Sequence, residues 1–295
     1  MQAPVNERAS WIEELAKLGY APVDGTVLAG RPDHVTLRMV KDGSPVVAKF
    51  CPERGAPAFD NMQKLWASSF GERRGQPGLP RPLDYLPEPG VLICEAIDGR
   101  PLSESARISD TQVRGAMEML ATLHSSDVQP DSRRTSRGIV RSAQRKAALV
   151  AELAPQYAET MRALANSIEV HRPKDTELVP SHGDFSPRNL LVASDRFVLV
   201  DWDRLQWADP ARDVVYFGIS DWLPRLRRGR SPDRKLLEQA IEAYRESRPG
   251  AVLKKQLGFH VAAGLLRIAC SLVELWPKEA YLVPVLLSAA QRELK

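Results

Sequence analysis

The residues best placed to do chemistry together lie in one short stretch, His182-Gly183-Asp184-Phe185-Ser186-Pro187-Arg188-Asn189, and in the two apolar runs that follow it. Asn189–Val192 and Phe197–Val200 flank the turn-like Ala193-Ser194-Asp195-Arg196, and Asp201 closes the second run. If the runs pair as an antiparallel hairpin, its two open ends adjoin, so Asn189 and Asp201 meet although twelve positions separate them. Asp184 stands on the loop that enters the hairpin. Moving a phosphoryl group onto an alcohol needs a carboxylate to orient the hydroxyl and take its proton, oxygen ligands for Mg²⁺, and a cation on the nucleotide phosphates. The loop and hairpin offer the first two, and Lys49 in an upstream strand offers the third. Taken singly, Asp184 and Asn189 read equally as turn formers, Asp201 as a cap and Lys49 as an edge charge. Their combination with the flanking strands is what points to phosphoryl transfer.

The periodicity around these residues changes near residue 100. After a short helix over about residues 8–18, His34–Met39 alternates polar with apolar and Asp42-Gly43-Ser44 turns the chain into Val46–Phe50, a hairpin. A helix over about 59–69 and a buried strand at Val91–Cys94 lead to the linker Asp98-Gly99-Arg100-Pro101. Beyond it helix dominates. Ser109-Asp110-Thr111-Gln112 has the form of a capping box, ahead of Val113, Met117, Leu120 and Leu123 at helical spacing up to His124. Further helices are expected at about 139–168, 233–246, 254–275 and 278–293, with Pro284 breaking or kinking the last. The predicted architecture is α+β, two-lobed and protein-kinase-like: a small β-rich N-lobe over 1–96 and a larger, mainly helical C-lobe over 97–295.

The loop, with its H-x-D-x-x-x-x-N pattern and a later Asp at a strand end, resembles the aminoglycoside phosphotransferase and choline kinase family. The resemblance runs along the chain through Ala48-Lys49, the hinge Glu95–Leu102, Leu120–His124, Asp201-Trp202-Asp203 and Asp209-Pro210-Ala211-Arg212-Asp213. It implies that Asp184 is the catalytic base, that Asn189 and Asp201 hold Mg²⁺, that Lys49 contacts the phosphates of ATP, with GTP an alternative, and that backbone groups of Glu95 and Ile97 bind the base edge. His182 would brace the loop and Asp213 support it from beneath, although Asp213 also reads as an acid at a helix N-terminus. Asp203 stays unassigned. Two positions depart from the family. The phosphate-covering turn, Ala29–His34, has one glycine, Gly30, and a proline, so its grip would rely on Arg31 or His34. Where a glutamate partner for Lys49 is expected on the first helix after it, the sequence offers Asp60.

For the acceptor, an aminoglycoside would call for a concentrated acidic pocket. The second half instead carries Arg225, Arg227, Arg228, Arg230 and Arg234, and a further set at Arg133, Arg134, Arg137, Arg141 and Arg145, which read as solvated surface or as a bias against polycations. A neutral or anionic hydroxylated metabolite or antibiotic is favoured over an aminoglycoside, and the aminoglycoside 3'-type transfer stays the alternative. A nucleotide-binding scaffold without turnover is a reading of another class, motivated by the glycine-poor turn.

Composition narrows the field. The 295 residues are 43% hydrophobic, with 41 basic against 37 acidic residues, which suits a globular protein and gives no nucleic-acid signature. Three scattered cysteines form neither a CxxC pair nor a disulfide framework, consistent with a cytoplasmic setting. The N-terminal residues lack the pattern of a secretory signal, and the apolar run Val261–Leu275 carries Arg267 and Glu274, which are costly in lipid. A protein free of membrane, monomeric or weakly dimeric, is expected.

Overall fold

A computed structural model describes residues 5–31, 34–71, 78–174, 176–194, 196–251, 253 and 256–295. The chain forms α1 (Val5–Lys17), β1 (Tyr20–Arg31), β2 (His34–Lys41), β3 (Ser44–Phe50), α2 (Gly55–Trp66), β4 (Pro82–Leu86), β5 (Val91–Glu95), β6 (Arg100–Pro101), α3 (Asp110–His124), β7 (Arg133–Arg134), α4 (Ser136–Leu153), α5 (Ala158–Val170), β8 (Val179–Ser181), β9 (Leu190–Val192), β10 (Phe197–Leu199), β11 (Gln206–Ala208), α6 (Pro210–Gly218), α7 (Trp222–Arg227), α8 (Lys235–Ser247), α9 (Leu257–Leu275) and α10 (Val283–Arg292). The mixture is α+β, as expected. Two compact units arise, one of Met1–Ser105, Ser126–Gln129 and Arg188–Leu205, the other of Ala106–Ser125, Pro130–Pro187 and Gln206–Lys295. Residues 97–105, 126–129 and 188–205, which the sequence reading assigned to the C-lobe, therefore pack with the first unit.

The first unit is built on a five-stranded antiparallel sheet in the order β1-β2-β3-β5-β4. Period-two alternation turns Val35, Leu37 and Met39 of β2, Val46 and Ala48 of β3, and Val91 and Ile93 of β5 to one face, where Trp11 and Leu15 of α1 cover them. Trp11 also stacks on Phe50, with ring centroids 5.5 Å apart. Lys49, between Ala48 and Phe50, is turned to the opposite face, with Thr36 and Leu92 as its lateral neighbours. Strands β1 and β4 were not expected, because Pro22, Gly25 and Pro82 interrupt their patterns; both are edge strands, where such residues are tolerated. Buried residues Ala58, Asn61, Met62 and Leu65 recur at helical spacing on α2, which packs on β4 and β5. A small sheet, β10-β9-β6, completes the unit.

The second unit is helical. Its apolar centre is α9, whose buried face includes Phe259, Leu265, Leu266, Ala269 and Leu272, packed against α4, α5, α6 and α10. This helix is long and apolar enough to cross a membrane by length and composition, but 61% of that stretch is buried inside the fold, as in the core helix of a soluble protein. The Ser109–Gln112 capping box forms as expected, each side chain bonding the other's backbone N–H at the start of α3. The single helix expected over 139–168 is two, α4 and α5, because Pro155 drives Ala154 out of helical geometry, to φ −143 and ψ 75. The helix expected over 278–293 is broken at Pro284 as anticipated, into a 3-10 segment Pro277–Leu282 and α10, whose first turn holds Pro284 where its missing N–H costs nothing. Strands β7, β11 and β8 form a short sheet that delivers the chain into the loop after Ser181.

Candidate functional site

In the first unit, β9 and β10 pair as the sequence implied, Val192 with Phe197, Leu191 with Val198 and Leu190 with Leu199. The ladder continues one step further, the Val200 N–H donating to the Asn189 carbonyl at 2.9 Å, which sets Asn189 beside the residue preceding Asp201. Asp201 adopts φ +72, a left-handed conformation that costs a residue with a Cβ about 1–2 kcal/mol and that Asp accepts more readily than most. Several contacts hold it there. The buried Trp202 donates its indole N–H to the Leu199 carbonyl at 2.9 Å and meets Phe70 edge-on at 5.6 Å. Asn61 of α2 donates to the Trp202 carbonyl at 2.9 Å.

Lys49 pairs its ammonium with the Asp201 carboxylate. Burial disfavours the ammonium, yet the adjacent Asp201 charge and hydrogen bond outweigh it and the Lys49 pKa is raised. The sequence proposed Asp60 as the acidic partner, and the structure corrects this: Asp60 is exposed on α2, because the helical period turns Ala58, Asn61 and Met62 inward instead. Asp203 accepts from Arg54 at 3.0 Å through Oδ2, while its buried Oδ1 has no hydrogen-bond partner. Glu95 ends β5 and takes the Arg81 N–H on its side chain at 3.1 Å; Ile97 lies in the irregular segment before β6. Gly30 pairs with Val35 near the end of β1, but Pro32 and Asp33 of the glycine-poor turn lie outside the described residues, as do the side chains of Arg31 and His34.

Asn189, Asp201 and Asp203, whose Oδ1 makes no hydrogen bond and lies 3.9 Å from Arg204 Nε, offer side-chain oxygens, a set suited to a hard cation such as Mg²⁺. Among the described residues no group of three or more His, Cys, Asp or Glu is disposed to cage a metal without help. Mg²⁺ commonly takes one or two protein ligands and completes its shell with phosphate oxygens and water.

In the second unit the loop after β8 is organised by Asp213 of α6, which is fully buried. Its Oδ2 accepts from Ser181 Oγ at 2.7 Å and from the His182 N–H at 2.8 Å, and its Oδ1 from the Gly183 N–H at 3.0 Å. Gly183 has φ +80, which lets two successive N–H groups turn toward one carboxylate and would strain any residue with a side chain. Burial by itself would raise the Asp213 pKa; hydrogen bonding and nearby positive charge, His124 first, outweigh it and hold the carboxyl well below the ordinary carboxylate range. His124, buried on α3, has its pKa lowered by that burial against the opposing pull of Asp213, which it faces at 3.5 Å through Nε2, while its Nδ1 meets the Tyr244 hydroxyl at 2.7 Å. His182 is fully buried and its Nδ1 accepts from the Asp184 N–H at 3.3 Å. Asp213 thus bonds the backbone on either side of the His182–Gly183 peptide, and His182 bonds that of Asp184.

Asp184 is largely buried, and Arg267 of α9 approaches its Oδ1 to 3.7 Å. The Arg267 guanidinium lies over the Tyr216 ring at 4.4 Å, and that of Arg212 lies over the same ring at 4.8 Å. The two cations lower the Tyr216 pKa although burial would raise it. Gly264, one turn before Arg267, gives α9 room for this packing, since a Cβ there would stand 2.8 Å from Ile219 and 3.5 Å from Tyr216. Sequence reasoning passed over Arg212, Tyr216 and Arg267 as site residues. The available signal was Arg267 itself, the one Lys or Arg in the apolar run 257–275.

Residues 28–252 match the phosphotransferase enzyme family. The chain belongs to that family. Among solved structures it is similar to a choline/ethanolamine kinase family protein from Mesorhizobium loti, with TM-score 0.70 and 15% identity over 98% of this chain and 94% of the other. An aminoglycoside-3'-phosphotransferase of type VIII aligns with TM-score 0.57 and 22% identity, over 84% of this chain and 96% of its own. A spectinomycin phosphotransferase bound to ADP and spectinomycin aligns with TM-score 0.61 and 13% identity, over 97% and 98%. No curated protein matches the sequence. At these identities the structural likenesses establish the kinase-like fold, and the family match makes the chain a phosphotransferase.

Proposed function

We propose that the protein moves the γ-phosphoryl group of ATP, with GTP as the alternative donor, onto a hydroxyl of a small molecule. The observation that supports this best is the closure of the β9–β10 hairpin, which sets Asn189 beside the Asp201 turn while the Asp201 carboxylate holds the ammonium of strand residue Lys49. Asn189 and Asp201 would hold Mg²⁺, whose charge, when it is bound, offsets that of the transferring phosphate. Lys49 neutralises the phosphates in the same way and is kept charged by its acidic neighbour. Asp184 accepts the hydrogen bond of the acceptor hydroxyl and takes its proton as the bond to phosphorus forms. His182 and Asp213 keep the loop backbone in place, and backbone groups of Glu95 and Ile97 bind the base edge. Three free cysteines, two of them buried, suit a reducing cytoplasmic setting.

The test is ADP or GDP release by wild type and Asp184→Ala against a panel of amino alcohols, sugars and hydroxylated antibiotics, with both nucleotides. Acceptor-dependent release that falls by about 10²-fold or more in Asp184→Ala, with nucleotide affinity kept, is expected. Full activity in that variant would remove Asp184 from its role, and tight nucleotide binding without turnover on any acceptor would favour a scaffold.

A further inference from the structure

Around Asp184, inside the second unit, the charge runs opposite to what a polycationic acceptor needs. Arg267 is the basic group facing its carboxylate, and at 3.7 Å the approach is an ion pair beyond hydrogen-bonding distance. Its side chain is 34% exposed, so part of the donor fork faces solvent, while its buried Nε has no hydrogen-bond partner. Arg212, whose guanidinium also lies over the Tyr216 ring, is 6% exposed, and its Nη1 likewise has no hydrogen-bond partner. Two guanidinium groups lie on one aromatic ring beside the Asp184 carboxylate, and each keeps a donor nitrogen without a hydrogen-bond partner, while Arg212 also acts on the Asp213 carboxylate. Two other acids stand by: Asp213, bonded to Ser181, His182 and Gly183, and Asp209, whose Oδ1 takes the Ala211 N–H at the start of α6 while its Oδ2 has no hydrogen-bond partner and faces His260 at 3.4 Å.

Stacking on Tyr216 fixes the plane of the Arg267 guanidinium, which conserves its fork geometry for a planar or tetrahedral oxyanion. A second ammonium group brought to this place would meet two like charges at low dielectric, an unfavourable approach.

Resting on the phosphotransferase reading above, we infer that the acceptor is an anionic alcohol, whose carboxylate or phosphate is bound by Arg267 while its hydroxyl is held by Asp184. Arg212 and Tyr216 are positioning residues that hold Arg267 in place. With hydrogen bonds of ordinary length at both ends, the anion and the reacting hydroxyl of the acceptor lie within about 9 Å of each other. That span fits a small hydroxy acid or a phosphorylated polyol.

The experiment uses one carbon skeleton in three charge states, glycerol, D-glycerate and glycerol 3-phosphate, with choline and kanamycin as cationic probes. Calorimetric titration of the wild-type chain should give at least tenfold tighter binding for one of the two anions than for glycerol, and Arg267→Gln should remove that preference. Transfer should follow the same order, with KM for the anion raised about 10- to 100-fold in Arg267→Gln, partly restored in Arg267→Lys, and the nucleotide KM unchanged. The preferred anion distinguishes a carboxylate site from a phosphate site. Equal binding of glycerol and both anions overturns the inference, as does an equal fall in kcat for every acceptor in Arg267→Gln, which would mark the arginine as a brace for Asp184. Asp184-dependent transfer to the neutral or cationic probes alone would also overturn it while leaving the phosphotransferase reading intact. Absence of Asp184-dependent transfer despite anion binding would count against the phosphotransferase reading instead.

Discussion

Replacing Asp213 by Asn tests directly how the loop that carries Asp184 is held. The amide has the shape of the carboxylate but one acceptor oxygen instead of two. If that oxygen takes the Oδ2 position it keeps Ser181 Oγ and the His182 N–H, and the new NH₂ then faces the Gly183 N–H that Oδ1 had accepted at 3.0 Å. Two charge-assisted hydrogen bonds become neutral ones, at about 1 kcal/mol each, and the third is replaced by a buried donor facing a donor. Relief from burying an anion offsets part of this, leaving a net destabilisation of about 2–4 kcal/mol at pH 7. Asp213 has a folded-state pKa below its unfolded one, so its contribution is complete above roughly pH 4 and is lost as the pH falls through the folded value. Urea denaturation of wild type and Asp213→Asn at pH 7, 5 and 3 measures the difference. It should be constant between pH 7 and 5 and narrow at lower pH. Equal stability at pH 7, or a gap that persists undiminished to the lowest pH, would refute the account.

Asp201→Ala removes the partner of Lys49 and a proposed metal ligand together, so both nucleotide affinity and transfer should fall, unlike the selective loss in Asp184→Ala; nucleotide titration of the two variants separates them. Lys49→Met should raise the nucleotide KM about tenfold or more without altering the acceptor KM, read from initial rates. Asp221 has its carboxyl pushed up to about 6 by burial, against the opposing pull of Arg225. A raised folded-state pKa means stability that is present below the unfolded value and lost as the pH rises through 6, so Asp221→Asn should stabilise the protein at pH 8 and leave it unchanged at pH 4, by thermal melting. The Cys94 and Cys270 thiols are pushed up to about 12 by burial, so alkylation at pH 8 should be slow in the native protein and rapid in urea.

Much of the first unit was legible because its signals are local. Alternation in β2 and β3, the turn at Asp42-Gly43 and the two runs of the β9–β10 hairpin each fix a register within a dozen residues, and from that register the meeting of Asn189 with Asp201 follows. The Ser109–Gln112 cap is local too. Edge strands were missed where proline and glycine mask the alternation, since only their place at the margin of the sheet makes them strands.

By itself, then, the sequence determined the α+β class of fold and the meeting of Asn189 with the Asp201 turn at the hairpin, both set by periodicity and turn chemistry over short spans. Tertiary structure decided which charges meet. It gave Lys49 the carboxylate of Asp201, 152 positions away, in place of Asp60, whose side of α2 faces solvent. It gathered Ser181, His182, Gly183 and His124 about Asp213, and brought Arg267 from an apolar helix to the side of Asp184. These pairings join elements far apart in the chain, and they depend on which helical face packs against which neighbour, a choice made by the burial of whole surfaces and written in no single stretch of residues.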